Sequence, residues 1–485
     1  MKYKKKFKNI SMAGSAAMSA GYSKDIPATG KIFAWAEDLV NMGPRVVGTE
    51  TGKKAQKYVA DQLRAMGIVD IDIVGNDTLL WKCDQWSLEV AGKSIDSYFM
   101  TNTFNDGTLG EFATPEGGVK AEVVYVGDGT EKDYKKTDVK GKIVMSEVHF
   151  SEIPIGLARL KSYLFYDPDK TFSLFDKKLN PYSANTFPYN YFRAMNNGAV
   201  GFIGILTDYI DSNKYNNEDY SYMEDKMRIP GLWITKKHGE EIKNLINIKQ
   251  GNGSCDAKIE MQGSITKVRS GAVIGILPGM SDEMIMVQSH YDSSTAGGTE
   301  DASGTAVVLA LADFYSKVKK EDRPRSLMFT LMDTHFSDYD SHDAVIEKYL
   351  YPGNKVVANV SIEHLSREFE EKDGQFVYTG LNEPNIVFVS DNKAMLDIAK
   401  EEYVRHDLKR SVLMRTDAFG EDVPTDSDMF YRAGVPIISS VSGPIYLYDE
   451  ADTLDKIDID AMKPTTAAYA DIIWRLSRVD KGDLK

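Results

Sequence analysis

Beyond Gly263 the chain alternates short apolar runs with helical runs, and that alternation leaves few folds open to it. AVIGILPG and EMIMVQSH read as strands, and the helix TAVVLALADFYSKV follows them. Next come the strand RSLMFTLMD, the helix DAVIEKYL, the strands VVANVSIEH and NIVFVS, and the helix KAMLDIAKEEYV. The strand VPIISSV and the helix MKPTTAAYADIIWRL close the series. Strands separated by helices of about 10–15 residues make βαβ units, which predict an α/β fold with a doubly wound, mostly parallel sheet. Ligand sites in such sheets lie beyond the carboxyl ends of the strands.

That rule gives weight to the histidines. Four of the seven, His290, His335, His342 and His364, fall within 75 residues, and all but His342 end predicted strands. In EMIMVQSHYDSSTAGGTEDASG, His290 and Asp292 close a strand, and a Gly-rich loop then carries Glu300 and Asp301 into a helix. An imidazole, a carboxylate two residues on and a second acidic pair are what a metal site needs. Asp333 and Glu363 sit beside the other two strand-end histidines. Burying so many acids without a cation is costly. A lone histidine is more often structural, but three at one sheet edge favour a metal over a solvated acidic rim. Ser289 and Ser303 stand near His and Asp, yet no G-x-S-x-G elbow accompanies them. Neither nucleotide-binding glycine loop occurs.

The first part of the chain reads differently. Residues 28–69 look helical, with Thr49 or Thr51 capping KKAQKYVADQLRAMGI and Gly67 stopping it, and VDIDIV alternates like a strand. From 119 to 247 strands and helices form a smaller α/β unit without clustered metal-type residues. Residues 151–190 interrupt it with an aromatic stretch that is either a lid over a site or an insertion packed on its own rings. The expected division is therefore 25–84 and 263–480 for the larger domain, with 85–262 inserted between them.

Composition sets the outer limits. A formal charge of −14 argues against nucleic acid and anionic membrane surfaces as partners. Two cysteines, Cys83 and Cys255, are too few for a disulfide framework or a cysteine zinc site. No run approaches the roughly 20 apolar residues that span a bilayer. The N-terminus MKYKKKFKNISMAGSAAMSAG starts basic but lacks a Leu or Val core, so a cytoplasmic protein is expected rather than an exported one.

HYDS…GGTEDASG resembles the zinc-dependent aminopeptidase superfamily that includes glutamate carboxypeptidases and glutaminyl cyclases, in which H-x-D-S precedes G-A-x-D-[ND]-A-S-G. MGPRVVGTETGKKAQKYVADQLRAMG is similar to its N-terminal helices. VKGKIV, NNGAVGFI and IPGLWIT resemble pieces of its inserted protease-associated domain. TDSDMFYRAGVPIIS and YDEADTLDKID resemble its two closing motifs. The resemblance implies a sheet of the zinc-exopeptidase type with an inserted smaller α/β domain. It also implies that His290, Glu300 and Glu363 are ligands of a first metal, and that Asp292 orients His290.

Elsewhere the pattern is altered. The family's Glu-Glu pair, base then ligand, falls on Thr334-His335 or on His335-Phe336. Its second-metal histidine falls on Tyr448, beside Asp449, and the His of its S-D-H on Ser427. The expectation is a metal-dependent hydrolase of an amide or peptide bond in a small or peptide-like substrate. It would hold one zinc ion rather than two, or another divalent metal, through His290, Glu300, His335 and Glu363. His335 is either ligand or base, and His364 is a third candidate; because neighbours on a strand face opposite sides, it and Glu363 should not both ligate. The rival expectations are an inactive relative that only binds, or a metal-dependent lyase or transferase.

Overall fold

The computed structural model of the chain describes residues 25–184, 186–217, 226–249, 254–351 and 353–484. The basic N-terminal segment read above for export lies outside them. Among the described residues no helix is long and apolar enough to cross a membrane.

Two nine-stranded sheets organise the molecule. In the larger, Arg325–Met332, Ser281–His290, Val356–Ile362 and Ile437–Val441 lie side by side and parallel. The parallel character is strongest there. Asp70–Val74 and Ala272–Leu277 add antiparallel neighbours at one side, and Asn385–Val389 pairs antiparallel with Ile437–Val441 at the other. The middle strands are apolar throughout, as strands covered on both faces must be; every residue of Arg325–Met332 and Val356–Ile362 is buried. Helix Ser303–Ser316 lies over them, buried from Ser303 to Tyr315, and contacts helices Thr29–Val40 and Ile459–Leu476.

The N-terminal helix pair forms as its caps direct. Thr49 accepts a hydrogen bond from the Gly52 amide and starts Glu50–Ala65, whose Ala55, Val59, Ala60 and Leu63 share the buried face. From Val74 the chain crosses to the smaller sheet. It enters on Asp77–Val90 and returns on Asp256–Arg269, two long strands paired antiparallel from Asp77–Arg269 to Val90–Ala257. These two strands reach beyond the 85–262 bounds drawn from the sequence. Between them, Val119–Tyr125, Ile143–Val148, Gly201–Leu206 and Gly231–Thr235 run parallel.

The aromatic stretch joins the two sheets. Its Phe150–Ile153 pairs with Lys178–Ala184, while Leu164–Tyr166 becomes an edge strand of the larger sheet against Ser411–Arg415.

Candidate metal centre

His290 is the last residue of its strand, and Asp333, Glu363 and Ser442 directly follow the last residues of the neighbouring parallel strands, so the carboxyl edge collects them in buried positions. His290 is fully buried, and its Nδ1 stands 3.1 Å from both the carbonyl and Oδ1 of Asp292. A carbonyl oxygen can only accept, so Nδ1 carries the proton and Nε2 offers its lone pair. Asp292 therefore orients this ring, as expected from the sequence.

Glu300 is delivered by the tight turn Gly298–Ala302. Asp452 fixes that turn by accepting from the amides of Thr299, at 2.9 and 3.1 Å, and of Glu300, at 2.9 Å. Gly297, at φ +56°, precedes it; a Cβ there would lie 2.1 Å from the Glu300 carbonyl oxygen. Asp301 turns away from Glu300. It accepts from Ser289 Oγ at 2.6 Å, the Gly304 amide at 2.9 Å and the His364 amide at 3.1 Å, tying strand, helix and loop together. Behind this turn the buried Arg45 donates to the carbonyls of Tyr291 at 2.7 Å, Ala296 at 2.6 Å and Gly297 at 3.1 Å.

His335 lies flat against His290, with ring centroids 4.4 Å apart. Its Nδ1 donates to Asp426 Oδ1 at 2.7 Å, which again leaves Nε2 as the acceptor. Asp426 comes from the loop before helix Asp428–Arg432, and its carbonyl accepts from Gln288 at 3.0 Å. His364 has φ +57°, so the strand has already ended. The alternation that would point it away from the site does not extend to it. Its Nδ1 donates to the Ser442 carbonyl at 2.7 Å.

The three Nε2 atoms meet at one carboxylate. Glu300 Oε1 is 3.3 Å from His290 Nε2 and 3.4 Å from His335 Nε2, and Oε2 is 2.6 Å from His364 Nε2. None of these atoms, nor Asp426 Oδ2, has a hydrogen bond of acceptable geometry. With every Nδ1 already holding the ring proton, lone pairs face lone pairs, and either a cation between them or further protons must resolve the conflict. Without a cation, extra protons take that place. Burial opposes charge on His335 and His364, but Asp426 and Glu300 together outweigh it for the first, and Glu300, Asp301 and Glu363 together for the second, lifting them to about 9 and about 10. Burial alone would raise Glu300, yet the imidazoles of His364 and His335 hold it well below the usual range. Two triplets bring ligand atoms within 4.8 Å of one another: His290, Glu300 and His364, and His290, His335 and Asp426. These donors fit a divalent ion such as zinc.

Glu363 is not in either triplet. Its Oε1 accepts from Ser361 Oγ at 2.8 Å, and burial, then the nearby Asp426, pushes its carboxyl up to about 8. Thr334 is engaged with Ser341, whose hydroxyl lies 2.8 Å from its own and whose amide donates to it at 3.0 Å. Asp333 accepts from the Gly271 amide at 2.6 Å. Tyr448 packs among Tyr182, Phe336 and Tyr215, and Asp449 accepts from the Ala451 amide at 3.0 Å. Ser427 lies within 3.3 Å of Asn359 Nδ2, beneath the site. His342 is buried against Tyr339 and Phe430 with both nitrogens unbonded, and burial drops it to about 4, so it is neutral.

Asp426, Asp452 and Arg45 are the site residues that the sequence did not single out. The one signal for Asp426 was its place beside Ser427 in TDSDMFY.

Residues 272–473 match the model of peptidase family M28. No curated protein matches the chain. Among solved structures, a peptidase M28 precursor from Shewanella amazonensis is 17% identical with a TM-score of 0.67, covering 96% of this chain and 97% of its own. A zinc aminopeptidase from Bacillus subtilis is 16% identical with a TM-score of 0.63, covering 94% and 98%. An aminopeptidase from Aneurinibacillus is 18% identical with a TM-score of 0.57, covering 94% of each chain. At such identities the likeness establishes the fold.

Proposed function

We infer that this chain, whose residues 272–473 place it with the zinc-peptidase superfamily, is a metal-dependent peptide hydrolase working with a single zinc ion. The observation that carries the inference is the meeting of three imidazole Nε2 atoms on the Glu300 carboxylate, each ring having its Nδ1 proton committed elsewhere. The solved relatives named as zinc aminopeptidases support the choice of metal and of peptide substrates. The shared histidine supports a single ion over two. The two triplets share His290, and an imidazole has one Nε2 lone pair to give. His290, Glu300, His335 and His364 would hold the ion, with the Asp426 carboxylate beside them.

A bound divalent cation supplies Lewis acidity, polarising the scissile carbonyl and making water easier to deprotonate. The protein's part is orientation and proton transfer. Asp292, Asp426 and the Ser442 carbonyl lock the three rings in the tautomer that presents Nε2. Thr334 stands where the family resemblance would put a glutamate base, and its hydroxyl is already committed to Ser341. Burial raises Asp333 to about 7 and Glu363 to about 8, and we assign proton transfer to Glu363, which adjoins His364 in the chain. A neighbouring cation lowers the Glu363 value toward neutrality, where a carboxyl can accept a proton and return it.

Metal analysis of purified protein, with aminoacyl-nitroanilide and dipeptide hydrolysis measured before and after chelation, tests the assignment. About one zinc per chain, activity lost to chelator and restored by zinc, is the expected result. Protein that neither carries nor takes up a divalent ion sinks it.

The commitment of Thr334 favours one alternative, a relative that binds metal and peptide without cleaving. Zinc bound at full occupancy with no turnover on any peptide or amide would select that alternative.

A further inference from the structure

We propose that Tyr182, carried in by the aromatic segment between the two sheets, is a positioning residue that sets the His364 ring for metal binding. Its hydroxyl lies 3.1 Å from His364 Nδ1 and donates to the Ser442 carbonyl at 2.8 Å. His364 Nδ1 reaches the same carbonyl at 2.7 Å. The phenol oxygen is thus a second acceptor for the imidazole N–H, and the three groups close a small ring of hydrogen bonds behind the metal-facing edge. A ligating histidine gains orientation and basicity from such partners on its other nitrogen.

The surroundings are shaped to put the hydroxyl there. A Cβ on Gly443 would stand 2.9 Å from Tyr182 Cε2, so the missing side chain makes room for the ring. Tyr448 meets that ring edge-on at 5.7 Å. One residue back, the Pro181 carbonyl accepts from Tyr215 at 3.1 Å, and Lys178 pairs with the buried Glu368. The segment is anchored just ahead of the tyrosine. A segment outside the matched residues 272–473 therefore completes the surroundings of a ligand inside them.

The inference rests on the metal assignment above, and zinc affinity of the full-length protein separates the two. Tyr182→Phe keeps the ring and removes the hydroxyl; zinc affinity, read by competition with a chromogenic chelator, should fall about tenfold. Tyr134→Phe removes another buried hydroxyl, one that donates to Asn190 O in the smaller sheet's core, and should leave zinc affinity unchanged. In a His364→Ala or His364→Gln background the Tyr182→Phe loss should vanish, because the group it acts through is gone. Wild-type zinc affinity in Tyr182→Phe, or a loss that persists without His364, overturns this proposal alone. A wild-type chain that binds no zinc overturns both.

Discussion

His335 donates its Nδ1 proton to Asp426 across 2.7 Å, between residues 91 positions apart in the chain. The bond is buried and charge-assisted, and it decides which nitrogen of His335 is left for the ion. Asp426→Asn should lower zinc affinity by about 10- to 100-fold while keeping the fold. Calorimetric titration of metal-free protein measures this. An unchanged affinity would mean that His335 is not a ligand.

Metal binding should strengthen as pH rises. In metal-free protein His335 and His364 are raised against burial to about 9 and about 10, the first by Asp426 and Glu300 and the second by Glu300, Asp301 and Glu363, so at neutral pH zinc must displace their protons. His290 is raised as well, by Asp426, Asp292 and Glu300 against burial, so about three protons should be released per ion, read from binding heats in buffers of different ionisation enthalpy. The stability of metal-free protein should move the other way. A folded value raised above the unfolded one stabilises fully below about pH 6.5, the ordinary imidazole value, and that stability drains away as pH climbs through about 9 and about 10. Chemical denaturation from pH 6 to 10, with and without zinc, should give curves that diverge. Parallel curves would show that the imidazoles and the ion do not compete.

Glu363→Gln separates proton transfer from ligation. As proton acceptor, Glu363 can be lost with zinc content intact and turnover reduced by about 100-fold or more. If zinc leaves with the carboxylate, Glu363 is a ligand after all, and the triplets above are incomplete.

Arg45 lies outside the chemistry yet beneath it. Replacing it with Met would strand the carbonyls of Tyr291, Ala296 and Gly297 and remove the cation facing Asp292 and Asp452. A loss of about 3–5 kcal/mol in urea unfolding is expected, as for any buried ionic partner deleted alone. Lys in its place should rescue little, since an ammonium cannot reach several carbonyls in one plane. Full stability in Arg45→Met would contradict this account.

Much of this architecture can be read from residue order, because covered strands must be apolar and helices must alternate with them. The same reading passed over Arg367–Lys372 and Gln375–Asn382, an exposed hairpin whose REFEEK carries no apolar stripe. Of the centre, His290, Glu300 and His335 were legible from their places at strand ends and in the glycine loop. His364 stood as a further candidate that strand alternation could not place, since φ +57° ends the alternation and releases its side chain toward Glu300. Asp426 gave no local sign beyond its place beside Ser427, since an acid before a short helix is ordinary, and only the sheet's winding brings it to His335. Arg45 looked like part of a glycine-proline break, and nothing near it in sequence announces the carbonyls it serves.

The smaller sheet is entered at Asp77 and left at Arg269, which pair with each other. Its two ends are thus about 5 Å apart, one strand spacing, and a short turn could bridge them. The rest of the chain would then close over the gap as a continuous protein. It would do so without Tyr182 and without the edge strand Leu164–Tyr166, both of which travel with the excursion. The excursion is easy to remove as topology and hard to remove as chemistry, which makes it a tenant whose furniture is built into the host's walls.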